Sequence, residues 1–370
     1  MEKKRLDYLD MVKGIGILLV VIGHMQDIST GLRVWISSFH MPLFFIVSGI
    51  LMAVKNEPDK NIKESIYKKF KGIIIPYLWF SLSYFVIDIG NVTVIGNIDK
   101  RTFIVDTISS LTFYGMSVLW FLPALFLASI FFIMIAKMCN IYLVKLKSEL
   151  IIVVSFIISI IIAILAYVIK LQVAKLYDNN ADSLLITSLI NIIYIFLRAL
   201  ISMSFVAFGY CIRRIYEKLI SIDAKYKIID NRIFCLVVGM ILLAINIVLG
   251  MKNECVDLHN MLLNNVPLYY CAAFSGTLAM INICKALPVV KLVTYYGRNS
   301  IIVMACHINY YILYAGIKFA WVVDAYVTRA KHYVFVIVTM VTVFVLSTIV
   351  IEGINRLFPF VLGRPIRHKK

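Results

Sequence analysis

Long apolar runs alternate along the whole chain with short polar segments. Ten runs are long enough to cross a bilayer as a helix: 11–28, 34–54, 73–89, 117–136, 150–169, 186–212, 233–250, 266–284, 300–319 and 333–351. A helical crossing takes about 20 apolar residues. Irregular backbone cannot face lipid, and these continuous runs lack the alternation of a membrane barrel. The pattern predicts an all-α, polytopic transmembrane helical bundle of about ten spans. No span-length repeat and no long linker interrupts it, so residues 1–370 read as a single integral-membrane domain.

Composition strengthens this reading. Of 370 residues, 62% are hydrophobic and 15% charged, and the mean hydropathy is +0.91, a balance that a soluble domain does not carry. The start is basic and then apolar, but no small-residue cleavage site follows, so a retained helix is expected rather than a removed signal. Seven cysteines sit mostly in apolar runs without CxxC or His/Cys spacing, which points to reduced, structural thiols and to no metal site.

The net charge of +17 suggests nucleic acid only until its distribution is read. With the N-terminus inside, the cytoplasmic segments hold 27 of the 37 Lys and Arg residues and the outer ones 9, with Arg198 inside a span. Such a bias sets orientation. It predicts N-in, C-in topology in a cell membrane, bacterial inner or plasma, with lipid rather than nucleic acid as neighbour. Within one inner segment, Ile62, Ile66 and Phe70 recur on one side against Lys63, Glu64, Lys68, Lys69 and Lys71. This amphipathic stripe suits either anionic lipid headgroups or a polyphosphate ligand.

Ionisable residues inside apolar runs are costly and normally face a cavity or a partner helix. His24 lies four residues before the end of the first run and His40 six residues into the second, on either side of a short polar turn, both roughly 6–10 Å deep at 1.5 Å per residue. Trp120 lies near their level, and Arg198 and His307 lie near mid-bilayer. Asp27, Asp88 and Glu352 fall at span ends and read as interfacial. An arginine cannot lose its proton, so Arg198 calls for either a ligand anion or the carbonyls of a broken helix. The histidines read either as neutral rings bonded between helices or as proton-transfer groups, because imidazole titrates near operating pH. These residues leave a proton-handling membrane cavity, either enzyme or transporter.

Five stretches narrow the choice. Lys13 precedes His24 by eleven positions, after Asp10. FHMPLFFIVSG runs from Phe39 to Gly49, and KKFKGIIIPY from Lys68 to Tyr77. LWFLPALF runs from Leu119 to Phe126, and YGRNSI from Tyr296 leads on to His307. In this order they resemble the integral-membrane acyltransferase family 3, in the branch related to fucose 4-O-acetylases. That family has a basic residue, ten residues and an essential histidine. It usually shows arginine where this chain has Lys13, and arginines before the proline where this chain has lysines.

The resemblance implies an O-acyltransferase that moves an acetyl or similar short acyl group. The donor would be cytoplasmic acyl-CoA, acting as co-substrate with no permanently bound cofactor. The acceptor would be a hydroxyl of a surface glycan or lipid-linked sugar. His24 would be the general base, or transiently the acyl carrier. His40, Trp120 and His307 would support the acceptor side, and Lys13, Lys68, Lys69, Lys71 and Arg198 the donor. The eleven residues from Lys13 to His24 span roughly 16 Å of helix, a reach that suits a pantetheine arm. The competing classes are a proton-coupled transporter, which favours inverted repeats and paired broken helices, and a polysaccharide-export protein that needs no CoA site.

Overall fold

The computed structural model describes residues 6–25, 28–96, 98–178, 184–222, 229–326 and 332–365. Lys3, Lys4, Arg5, Asp27 and the basic tail after 365 lie outside the described residues. The rest is α-helical, without a strand among the described residues and with one isolated bridge, Asp257 to Leu262. Eight described helices are long and apolar enough to cross a membrane. The chain is an all-α, multi-pass membrane protein.

The chain divides into two compact units. The first comprises 1–44 and 220–357. It holds α1 (Asp7–Gly23), α2 (Thr30–Ser37), the start of α3 (His40–Val54), α10 (Arg232–Asn253), α11 (Val266–Ala286), α12 (Lys291–Arg298), α13 (Ser300–Cys306), α14 (Ile312–Tyr326) and α15 (His332–Leu357). The second, 45–219 and 358–370, holds the rest of α3, α4 (Ile62–Lys69), α5 (Ile75–Gly90), α6 (Lys100–Leu111), α7 (Phe121–Tyr142), α8 (Ser148–Asp178) and most of α9 (Leu184–Ile222). Polar side chains start several of these helices by accepting orphan N–H groups. Ser29 accepts from Leu32 N, Asp99 from Thr102 N, Asn231 from Ile233 N, and Asn265 from Leu268 N.

Close backbone approach at glycine organises both units. In the first, a Cβ on Gly14 of α1 would lie 2.1 Å from the Val293 carbonyl oxygen, and one on Gly297 of α12 would lie 1.8 Å from that of Asp10. Helices α1 and α12 therefore touch backbone to backbone. In the second, Gly49 of α3 and Gly209 of α9 do the same reciprocally, each 2.0 Å from a carbonyl oxygen, that of Val206 or Ile46. Small residues permit such contact where no hydrophobic force drives helices together. Asn246 adds a buried polar tie in the first unit, accepting from Trp35 Nε1 at 2.8 Å and donating to Ser38 Oγ and the Ala272 carbonyl.

Three expected spans differ from the prediction. The expected second span is parted by Ser38 and Phe39 into α2 and α3. The first helix begins at Asp7 and stops at Gly23, 17 residues long, with His24 as its capping residue. It therefore starts four residues earlier than the apolar run and ends five earlier. The expected ninth span is not continuous: α13 ends at Cys306, the chain turns through 307–311, and α14 runs on to Tyr326. Tyr311 takes a left-handed backbone, φ 57°, and Leu313 N–H closes onto the His307 carbonyl at 2.7 Å. A left-handed residue ends a helix because the next N–H groups no longer point along the axis. His307 and Asn309 mark the break locally, but the apolar residues on either side outweigh them over the length of a span.

Candidate active site

Three histidines of the first unit share one hydrogen-bonding logic. His24 follows the last turn of α1, and its Nδ1 lies 2.8 Å from the Val20 carbonyl oxygen. His40 opens α3 with Nδ1 2.8 Å from the Ile36 carbonyl. His307, at the end of α13, has Nδ1 3.0 Å from the Val303 carbonyl and 2.8 Å from that of Met304. A carbonyl oxygen only accepts, so each Nδ1 carries the hydrogen and each Nε2 of the neutral ring presents a lone pair. The Val20 and Val303 carbonyls also accept the backbone N–H of His24 and His307, so each of these rings shares an oxygen with its own backbone.

The rings of His24 and His307 meet edge to face, with centroids 5.1 Å apart. His307 Nε2 lies 3.4 Å from His24 Nδ1, so the His24 N–H is shared between the Val20 carbonyl and, at the outer limit of bonding distance, the bare His307 nitrogen. His307 is fully buried at 0% exposure, whereas His24 is exposed. One ring is therefore a fixed support, and the other offers a free Nε2 to whatever approaches. His40, Arg33 and Asp257 fall within electrostatic range of His24.

Asp257 belongs to the connection between α10 and α11, which is fastened rather than loose. Its carboxylate accepts from His259 N at 2.8 Å and from Asn260 Nδ2 at 2.7 Å. Asn253 donates to the Leu263 carbonyl and accepts from Asn265 N, and Val256 N donates to Ser37 Oγ on α2. Sequence reasoning passed over this segment because polar residues at a span end read as solvated. Asn309, in the break after α13, was also missed. Its Oδ1 is a buried acceptor with no hydrogen-bond partner.

At the start of α1, Lys13 Nζ pairs with Asp10 Oδ1 at 2.8 Å. Arg298, at the end of α12, donates from Nε to Asp10 Oδ2 at 3.1 Å and from Nη2 to Asp7 Oδ1 at 3.0 Å. Asp10 is thus buried between two cations, and Arg298 joins Lys13 as a charge the motif contributes. Only the tertiary fold reveals that neighbour, 285 positions along the chain.

In the second unit, α4 carries Lys68, paired with Glu64, and Lys69, paired with Glu57 at 2.8 Å. Lys71 lies in the π-helical turn Phe70–Ile74 that links α4 to α5. Trp120 and Arg198 also meet in this unit. The Arg198 guanidinium carbon stands 4.7 Å from the Tyr114 ring centroid and 5.2 Å from that of Trp120, and Nη1 donates to the Tyr114 carbonyl at 3.1 Å. Arg198 is 1% exposed. Aromatic faces and a carbonyl are the surroundings that a buried guanidinium needs. The carbonyl that Arg198 meets comes from the segment before Trp120 rather than from a broken helix.

Of the predicted residues, the fold brings His24 and His307 into contact, sets His40 within electrostatic range of His24, and joins Trp120 to Arg198. Lys13 belongs to the first unit, and Lys68, Lys69 and Lys71 to the second. No match was found among curated proteins or among solved structures. One family model, described as an acyltransferase domain, matches residues 6–351 and so runs through both units. A match of that extent makes this multi-pass membrane protein an acyltransferase, and the chain belongs to the acyltransferase family 3.

Proposed function

We propose that the protein is a membrane O-acyltransferase of the branch resembling fucose 4-O-acetylases. It transfers an acetyl or similar short acyl group from cytoplasmic acyl-CoA to a hydroxyl of a surface glycan or lipid-linked sugar. The observation that carries this reading is His24: an exposed imidazole whose Nδ1–H is fixed on Val20, leaving Nε2 as a base. In the transfer, His24 Nε2 takes the proton of the acceptor hydroxyl while that oxygen attacks the thioester carbonyl. The carbon–sulfur bond breaks, and the departing thiolate of CoA takes the proton back from His24. His307 supports the imidazolium formed in between, because its Nε2 lone pair faces the His24 N–H.

His40 and Trp120 line the acceptor side, and Asn309 Oδ1 accepts from an acceptor hydroxyl. Lys13, with Arg298 beside it, and Lys68, Lys69 and Lys71 supply positive charge for the nucleotide phosphates. Arg198 adds buried charge on the donor path. Acyl-CoA is a co-substrate that comes and goes, and no cofactor is retained. The chain works as one domain of ten spans in a bacterial inner or plasma membrane, N-terminus inside.

The test is transfer from acetyl-CoA by purified protein, read as a gain of about 42 Da per acceptor hydroxyl, the mass of acetyl in place of hydrogen. His24→Ala and His24→Gln should each lose 10²–10⁴-fold in rate, roughly the contribution of a general base, while inserting and purifying normally. Near-normal transfer by His24→Ala would make that histidine structural and remove the mechanism. His40→Ala should lose less than His24→Ala.

A further inference from the structure

A cavity of about 460 Å³ opens between α5 and α6 in the second unit, within the usual range for small-molecule sites. Most of its wall is apolar: Leu78, Leu82 and Phe85 of α5, with Leu111, Phe113 and Met116 from the end of α6 and the following turn. Against this wall stand two carboxylates, Asp88 and Asp106, and among the described residues no lysine or arginine lines the cavity. That is unusual in a chain with a net charge of +17.

Asp88 is 8% exposed and accepts from Asn91 Nδ2 at 3.1 Å, and Asp106 is half-buried. Burial, and then the neighbouring Asp88 carboxylate, hold Asp106 above the usual carboxylate range. Ser81 also lines the cavity, is 9% exposed, and its Oγ has no hydrogen-bond partner. The Tyr77 hydroxyl one turn away is already a donor to the Ser110 carbonyl at 2.6 Å. Two negative groups and an idle hydroxyl in a low-dielectric wall carry a desolvation cost that a cation with its own N–H donors offsets. The leucine and phenylalanine side chains call for an apolar stem behind that cation. Leu111 is 75% exposed, so the cavity is open at its apolar rim.

We propose that this cavity is a binding site for a bilayer lipid with a primary ammonium headgroup, the ammonium between Asp88 and Asp106 and the acyl chains along Leu78, Leu82 and Leu111. The site stands apart from the acyl-transfer reading and is tested by binding alone.

The test is native mass spectrometry of the full chain in a neutral detergent, with phosphatidylethanolamine and phosphatidylglycerol offered at equal concentration. The wild type should retain the ethanolamine lipid roughly tenfold more, the scale of one charge-assisted hydrogen bond. Asp106→Asn and Asp88→Asn should each erase the preference. Leu111→Trp, which fills the mouth and leaves both carboxylates, should remove retention. Dodecylamine should displace the lipid, and dodecanol should not. Equal retention of the two phospholipids, or an unchanged preference in both Asp variants, overturns the proposal. So does unchanged retention by Leu111→Trp. Dodecylamine binding without phosphatidylethanolamine retention places a single-chain amine there and overturns the lipid assignment.

Discussion

His24 and His307 divide one task between an exposed ring and a buried one. In the proposed transfer the exposed Nε2 acts only while its own Nδ1–H stays put, and Val20 and His307 both hold that hydrogen. His307→Ala removes the second acceptor without touching the Val20 carbonyl. We expect kcat to fall roughly ten- to a hundredfold, the range a misplaced reacting group produces, with KM for the acceptor little changed. His307→Gln should recover part of the loss, because its amide oxygen can accept the same N–H. A steady-state kcat and KM comparison of the two variants checks this. Equal loss in both would mean that His307 acts by volume alone.

At the scale of helices, the contact of α1 with α12 sets the start of the motif in place. Gly297 lies against the Asp10 carbonyl, and the next residue, Arg298, reaches the Asp10 carboxylate. A methyl at 297 has a backbone oxygen 1.8 Å away, and helix backbone has no soft rotamer to move aside. Gly297→Ala should therefore push α12 off α1 and cost roughly 1–3 kcal/mol as an overpacking change, read as a lower midpoint of thermal unfolding in detergent. Gly72→Ala, where a Cβ meets nothing within 4 Å, is the matched control and should leave the midpoint unchanged or slightly raised, since alanine restricts the unfolded chain.

For the whole molecule, the charge distribution makes an accessible prediction. Cysteine placed at Lys60 or Lys218 should react only with reagent on the cytoplasmic side, and cysteine at Lys252 only from outside. Lys60 follows α3 and Lys252 lies in the last turn of α10, so the three positions sample both units and both expected faces. Labelling of Lys60→Cys and Lys252→Cys from the same side would break the ten-span scheme.

The apolar runs by themselves determined an all-helical membrane protein, because only helices and closed barrels satisfy their N–H and C=O groups in lipid and continuous apolar runs lack a barrel's alternation. The spacing from Lys13 to His24, with the stretches around His40, Trp120 and Tyr296, was legible as acyltransferase sequence because those residues sit close together along the chain. Pairings across long separations were not legible. His307 against His24, Arg298 against Asp10, and Tyr114 under Arg198 depend on helix crossings that hydropathy does not encode. The break after Cys306 was masked because the apolar residues on either side outweigh His307 and Asn309 over the length of a span. The Asp88 and Asp106 cavity was hidden too, because Asp88 alone reads as a polar span end and Asp106 as part of a polar connection. Only the packing of α5 on α6 puts both on one apolar wall, where low dielectric turns two ordinary surface charges into a demand for a cation.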